Sequence, residues 1–303
     1  MNRLRLSVVV PTYNRARVLR VCLASLAAQT LPREEFEVLV VDDGSTDDTE
    51  SVVRAFEGAL VVRYLRQPSN CGQAAARNRG IHEATGEVVV FVDSDVFPTP
   101  GFLAAHQAIH LGRQRVVGRG PLLLTAHLDD PFRRPPLLLD PSPAFLDTAN
   151  SSVCRKHLLA VGGFDEEFRH YGWEDVDLGL RLRRLGLRRV FHRGALAYHY
   201  QPPATPEAVP ELLRKEAERA RTAVQLLRKH PGLLTRFLTQ LTPLHAAASL
   251  LLTGAGAVNE RNLSGLLRRL PSGRLAHLLL RLALNRYYVR SLWREWKLSR
   301  RTA

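Results

Sequence analysis

The stretch EVVVFVDSD, Glu87 to Asp95, runs through five apolar residues and breaks abruptly into Asp93-Ser94-Asp95. A short continuous apolar run rich in valine is the signature of a strand buried on both faces. Upstream, Gln73 to Glu83 reads as a helix and Val61 to Leu65 as a strand. Phe36 to Val41 is a second buried strand, closed by Asp42-Asp43-Gly44-Ser45. Ser45 or Thr46 is predicted to cap the helix that follows, with Asp47, Asp48 and Glu50 at its positive end. Leu6 to Val10 is the first strand, and Arg17 to Ala28 carries Val18, Leu19, Cys22, Leu23 and Leu26 at helical spacing. Strands alternating with helices at this pitch predict an α/β fold with an open, mainly parallel central sheet flanked by helices. Ligands bind such sheets beyond the carboxyl ends of the strands. Three of those ends are polar: Pro11-Thr12-Tyr13-Asn14, Asp42-Asp43 and Asp93-Ser94-Asp95.

The sequence contains neither G-x-G-x-x-G nor G-x-x-x-x-G-K-[ST], so the dinucleotide-binding fold and the P-loop lose support. A diphosphate can instead be held by carboxylates through a hard divalent cation, Mg²⁺ or Mn²⁺. Asp93 and Asp95, one residue apart at a strand end, can aim into one cleft, although a solvated turn has the same composition. A second acidic cluster, GWEDVD, spans Gly172 to Asp177 and leads into LGLRLRRLG. Leu178, Leu182 and Leu185 form a helical stripe. Acids in the first turn and arginines in the last suit the helix dipole, and Gly186 ends it. Trp173 is expected as a platform for a sugar ring beside a carboxylate. A half-buried acid there has a raised pKa suited to a general base. Glu174 and Asp175 diverge around the helix and should take distinct roles.

The chain has 303 residues, 45% of them hydrophobic and 24% charged, which excludes disorder over most of its length. Three cysteines are too few and too scattered for a disulfide framework. The first apolar run is too short for a signal-peptide core, so a folded, cytoplasmic N-terminus is expected. Residues 205–303 hold 18 Lys and Arg against 6 Asp and Glu, a net +12 within a total of +14. The proline-rich Gln201 to Pro210 separates a near-neutral body, 1–204, from this basic helical tail, 205–303. Phe237 to Asn259 is uncharged but interrupted by Gln240, Pro243 and His245, which suggests an interfacial or buried helical hairpin rather than a span. Leu275 to Leu298 mixes leucines, Tyr287, Tyr288, Trp293 and Trp296 with Arg281, Arg286, Arg290, Arg294 and Lys297. It reads either as a basic amphipathic helix on the inner, anionic face of a membrane or as a helix packed on the body. The high pI raises nucleic acid as a partner, but no recognised module is present and no specific nucleic acid is expected. His106 and His110 lack the H-E-x-x-H context and read as an ordinary helix face.

The ordered stretches SVVVPTYNR (Ser7–Arg15), VLVVDDGSTDDT (Val38–Thr49), NCGQAAARNRGIHEATGEVVVFVDSD (Asn70–Asp95), ANSSVCRKHLLAVGGFDEEF (Ala149–Phe168) and GWEDVDLGLRLRRLG (Gly172–Gly186) resemble glycosyltransferase family 2 and its GT-A fold. The resemblance covers roughly residues 5–200 and implies inverting transfer of a sugar from a nucleotide-activated donor, most commonly a UDP-sugar, to a hydroxyl of a glycan or lipid-linked acceptor. It implies that Pro11, Thr12, Tyr13 and Asn14 line the nucleotide pocket and that Asp42 hydrogen-bonds the base. Arg77 would lie near the base or phosphates. Asp93 would contact ribose or metal, Ser94 the donor, and Asp95 would bind Mn²⁺ or Mg²⁺ together with His199 of AYHY. Glu174 and Trp173 would face the acceptor, with Asp175 as base. The segment Gly118 to Asp147 is expected to shape the acceptor side. A nucleotidyltransferase is an alternative, but it wants a glycine- and basic-rich triphosphate loop that Pro11 to Asn14 does not resemble. A basic membrane- or nucleic-acid-binding protein without catalysis is another.

Overall fold

The structure, a computed structural model, describes residues 5–132, 138–139, 142, 144–202, 205–270 and 273–300. The boundary expected at residue 204 falls at Pro203 and Ala204, which lie outside the described residues, as do Met1 to Leu4 and part of the Gly118–Asp147 segment. The chain divides into two compact units: Met1–Arg169 with Glu174–Gln201, and His170–Trp173 with Pro202–Ala303.

In the first unit the elements run β1 (Leu6–Thr12), α1 (Ala16–Ala27), β2 (Phe36–Asp42), α2 (Thr49–Arg54), β3 (Val62–Arg66), α3 (Gln73–Glu83), β4 (Val88–Phe91), β5 (Val96–Pro98) and α4 (Phe102–His110). They continue as β6 (Val116–Arg119), β7 (Leu122–Thr125), β8 (Leu138–Leu139), β9 (Ser151–Cys154), α5 (Arg155–Ala160), α6 (Glu174–Arg184), β10 (Arg188–Phe191) and β11 (Ala197–Tyr200). The main sheet has the order β10-β6-β9-β4-β1-β2-β3, and a smaller one the order β5-β11-β7-β8. β4, β1, β2 and β3 are parallel, while β9 is antiparallel to both β4 and β6.

Apolar residues fill both faces, as the uninterrupted valine runs require. Val8, Val10, Val38, Val40, Val88 and Val90 pack with Leu19, Leu23 and Leu26 of α1. Their neighbours Val9, Leu39, Val89 and Phe91 turn the other way, onto Ala74 and Ile81 of α3 and Leu178 and Leu182 of α6. α3 lies so close on β1 that a Cβ at Gly80 would meet Val9 Cγ1 at 2.4 Å.

The expected cap of α2 differs. Asp47 accepts from Thr49 N at 3.2 Å and from Ala16 N at 2.9 Å, so one carboxylate serves the starts of both α2 and α1. Ser45 Oγ is taken by Asn14 N at 2.8 Å instead.

The second unit is helical: α7 (Val209–Lys229), α8 (Leu233–Leu238), α9 (Pro243–Leu252), α10 (Leu263–Arg269) and α11 (Arg274–Ser299). α11 packs along α7 and α9, and Val209, Leu263, Leu267, Ala276, Leu280 and Ala283 form its core. The Leu275 to Leu298 stretch forms α11, which buries Leu280, Ala283, Tyr288 and Leu292 within the helical unit itself. Among the described residues no helix is long and apolar enough to cross a membrane.

Candidate active site

The parallel register sets Thr12 beside Asp42 and Asp42 beside Arg66, so the polar ends of β1, β2 and β3 share one edge. Pro11 and Thr12 are buried, and Thr12 Oγ1 has no hydrogen-bond partner. Tyr13 is exposed. Asn14 adopts φ 50°, a left-handed conformation asparagine tolerates, and its Oδ1 accepts from Thr46 N at 2.8 Å. The loops after β1 and β2 are thereby latched together.

Asp42 is fully buried, accepting from Ser45 N at 2.9 Å and from Tyr64 Oη at 2.5 Å. Burial and the Asp42 charge push the Tyr64 phenol well up, so it remains a donor. Each Asp42 oxygen thus accepts one hydrogen bond from within the protein. Asp43 accepts from Gln67 Nε2 at 2.5 Å, Cys71 N at 2.8 Å and Gly72 N at 2.9 Å. It places an anion against the start of α3, where the helix dipole favours one.

From α3, Arg77 is buried and reaches two acids. Nη1 donates to Glu174 Oε1 at 2.9 Å, and Nη2 donates to Asp93 Oδ1 at 2.8 Å and to Gln73 Oε1 at 3.2 Å. Burial opposes its charge, but Asp93 and Glu174 raise its pKa well beyond the ordinary value. Arg77, expected near the base or phosphates, joins the D-x-D turn after β4 to the first residue of α6. Glu174 is buried, and its Oε2 has no hydrogen-bond partner.

Ser94 is buried and Asp95 follows it. β11 pairs antiparallel with β5, setting His199 opposite Val96, and Tyr200 N donates to the Asp95 carbonyl at 2.8 Å. The His199 Nε2 then lies 3.5 Å from Asp95 Oδ1, and Arg15 Nη1 donates to Asp95 Oδ2 at 2.5 Å. Burial pushes the Asp95 carboxyl up, but His199 and Arg15 outweigh it and hold the group well below the usual carboxylate range. A carboxylate oxygen beside an imidazole nitrogen fits a divalent cation such as Mn²⁺ or Mg²⁺. Among the described residues no group of three or more His, Cys, Asp or Glu could hold an ion, so the pair would need donors from a substrate or water.

Asp175, at the second position of α6, is half-buried. Burial, then the charges of Glu174 and Asp147, push its carboxyl up to about 8. Asp147 is fixed by Arg119 of β6, whose Nη2 donates to Asp147 Oδ2 at 2.9 Å and whose Nη1 donates to the Ala144 carbonyl at 2.6 Å. Gly179 lets α6 approach this segment, since a Cβ there would lie 3.1 Å from Leu146 N.

Trp173 has other partners than the expected sugar. Gly172 and Trp173 both have positive φ, 96° and 77°, and the reversal places the indole in the helical unit. Its Nε1 donates to the Arg219 carbonyl at 2.9 Å, and the Arg219 guanidinium lies 5.2 Å from its ring and 4.6 Å from that of Tyr288. A large indole buries more surface in such a core than at a rim.

Four site residues were not singled out individually in the sequence: Arg15, Tyr64, Arg119 and Asp147. Only Arg15 lay inside a recognised stretch. His106 and His110, read as an ordinary helix face, are buried instead. His106 is within 2.8 Å of Ser152 Oγ and 3.0 Å of Asn150 Oδ1, and His110 Nε2 within 2.9 Å of Ser152 Oγ. Burial pushes them down to about 3 and about 4, so both are neutral.

Residues 7–117 match glycosyl transferase family 2, and residues 142–202 match the N-terminal domain of galactosyltransferase. The chain is 33% identical over 276 residues to the validoxylamine A glucosyltransferase of Streptomyces hygroscopicus subsp. jinggangensis, covering 78% of this chain and 64% of that protein. It therefore spans a little under two thirds of that relative's length. The mannosyltransferase PcManGT from Pyrobaculum calidifontis, solved with GDP-Man and Mn²⁺, has a TM-score of 0.62 at 22% identity, covering 97% of this chain and 88% of that one. S. aureus TarS 1–349, solved with UDP, has a TM-score of 0.54 at 22% identity, covering 99% and 92%. With its mainly parallel sheet and these neighbours, the chain has the GT-A fold, and its residues 7–117 carry the match to glycosyl transferase family 2.

Proposed function

We propose that the protein is a metal-dependent, inverting glycosyltransferase that moves a sugar from a nucleoside-diphosphate sugar to a hydroxyl of a glycan or lipid-linked acceptor. The observation that carries this reading is the Arg77 bridge, which ties the Asp93 turn to the Glu174-Asp175 helix start within the span of one guanidinium. Donor-side and acceptor-side acids are then neighbours, as a direct displacement needs.

Asp175 is the general base. Its raised pKa lies near working pH, where a base is most effective. It takes the proton from the acceptor hydroxyl while that oxygen attacks the anomeric carbon. The carbon–oxygen bond to the diphosphate breaks with its electron pair, and a single displacement from the opposite face inverts the centre. Arg77 holds Glu174 and Asp93 in place. Asp95 and His199 would hold the divalent ion. When bound, that ion neutralises charge on the leaving diphosphate. Pro11, Thr12, Tyr13, Asn14 and Ser94 border the strand edge assigned to the nucleotide. A UDP-sugar is the first donor to try, with GDP-sugars second, because the two structural neighbours were solved with UDP and with GDP-Man.

Isothermal titration of Asp175→Asn and Asp95→Ala with UDP-glucose and Mn²⁺, alongside transfer assays, tests the division of roles. Asp175→Asn should bind donor as the parent does and fail to transfer, whereas Asp95→Ala should lose the Mn²⁺-dependent part of donor binding. Equal loss of donor binding in the two would refute the assignment.

A further inference from the structure

Helices α8 and α9 of the helical unit are built inside out. Ser249 of α9 and Thr253 just past its end are buried, their hydroxyls donating to the Ala246 and Ser249 carbonyls, while Leu244 and Leu251 of α9 are 69% and 75% exposed. α8 repeats the pattern: Thr235 and Thr239 are buried, while Leu233 and Phe237 are exposed. The edge-to-face contact of Phe237 with His245, 4.9 Å between centroids, sets the two helices side by side. An amphipathic helix in water turns its hydroxyls outward and its leucines inward. The reversed arrangement leaves large apolar side chains of both helices exposed, which calls for an apolar cover.

Directly after α9 the chain enters a cavity of about 420 Å³ lined by Gly256, Asn259, Glu260, Arg261, Arg286 and Arg290. Arg286 Nε and Glu260 Oε2 are buried without hydrogen-bond partners, although Arg290 Nη1 donates to Glu260 Oε1 at 2.7 Å. At Gly256, with φ 93°, a Cβ would come within 2.8 Å of Arg286 Nη2, so glycine is what admits the guanidinium here. Three arginines against one glutamate suit a phosphate, which guanidinium donors match in geometry, and the spare carboxylate oxygen suits a neighbouring hydroxyl.

We infer that α8 and α9 lie in the interface of an anionic membrane and that this cavity receives a lipid phosphodiester headgroup bearing a hydroxyl. Charge selects this occupant over a second copy of the chain: residues 230–303 hold 12 Lys and Arg against 2 Asp and Glu, so two copies repel where an anionic bilayer attracts. Apolar insertion and headgroup capture are the two signals that stable peripheral binding needs.

The test is vesicle co-sedimentation of the full chain with phosphatidylcholine alone and with phosphatidylcholine doped with phosphatidylglycerol. The parent should prefer the doped vesicles. Arg261→Gln/Arg286→Gln should lower that affinity about 25-fold, roughly fivefold per arginine. Leu244→Gln/Leu251→Gln, on exposed positions that do not endanger folding, should abolish binding to either vesicle. UDP-glucose titration should be unchanged in both variants, which separates this proposal from the catalytic one. The proposal is overturned if either double variant sediments as the parent does. It is also overturned if soluble glycerol 3-phosphate binds while vesicles do not, or if duplex DNA binds more tightly than the doped vesicles.

Discussion

Arg77 Nη1 sits 2.9 Å from Glu174 Oε1, across 97 residues of chain, and its second terminal nitrogen holds Asp93. A buried guanidinium shared by two acids is a junction rather than a surface ion pair, and its removal leaves carboxylates without compensation. Breaking such a pair from one side costs ~3–5 kcal/mol. Arg77→Ala should therefore lower the melting temperature by about five to eight degrees at neutral pH and abolish transfer. Arg77→Ala/Glu174→Gln should recover part of the stability but none of the activity. Calorimetry and a transfer assay on both variants check this, and an unchanged melting temperature in the single variant would disprove the junction.

Asp175→Asn should reduce turnover by ~10²–10⁴-fold, the usual contribution of a positioned base. The same change should stabilise the protein in alkali. Because the folded carboxyl is raised to about 8 while the unfolded one has an ordinary value, folding favours the protonated form. Parent stability falls as pH rises from about 4 through 8, so the melting-temperature gain of the variant should grow across that window and level off above it. Thermal melts from pH 4 to 9 measure it.

The rate itself should climb with pH. A base that must be ionised and is raised to about 8 gives kcat/KM for the free enzyme rising through that pH and flattening beyond it. Asp147→Asn removes one of the charges that raise Asp175 and should move the midpoint downward. A pH–rate profile that is flat from 6 to 9 would remove Asp175 from the role.

His106 and His110 predict acid lability. In the unfolded chain they take up protons near the ordinary histidine pKa, whereas burial delays uptake in the folded state to about 3 and about 4. Stability present above pH 6.5 should drain away as pH falls toward 4. His110→Gln should reduce the slope of melting temperature against pH in that interval.

The sheet was readable because its strands are buried on both faces, so β1, β2 and β4 stand out as valine runs, and α3 begins and ends where its pattern does. The turn at Asp93 to Asp95 and the helix start at Glu174 were likewise visible as acidic breaks. What joins them was not: Arg77, Asp93 and Glu174 are far apart in sequence, and nothing local in an arginine among alanines announces a junction. Trp173 was misplaced because its destination depends on two consecutive left-handed residues, a backbone property that composition does not reveal. For the uncharged stretch that holds α9, interfacial and buried readings both stayed open for a third reason. Periodicity reports that leucines share a face, not whether that face turns inward.

The close seating of α3 on β1 has a consequence for sequence drift. Gly80 is less than one helical turn beyond Arg77, and Val9 occupies the space that any side chain at Gly80 would claim. Gly80→Ala raises helix propensity and adds a single methyl group. It would nevertheless lift the helix off the strand and carry the arginine away from both of its acids. A substitution that looks harmless on paper would thus disable chemistry from beneath, without altering any residue that touches a substrate.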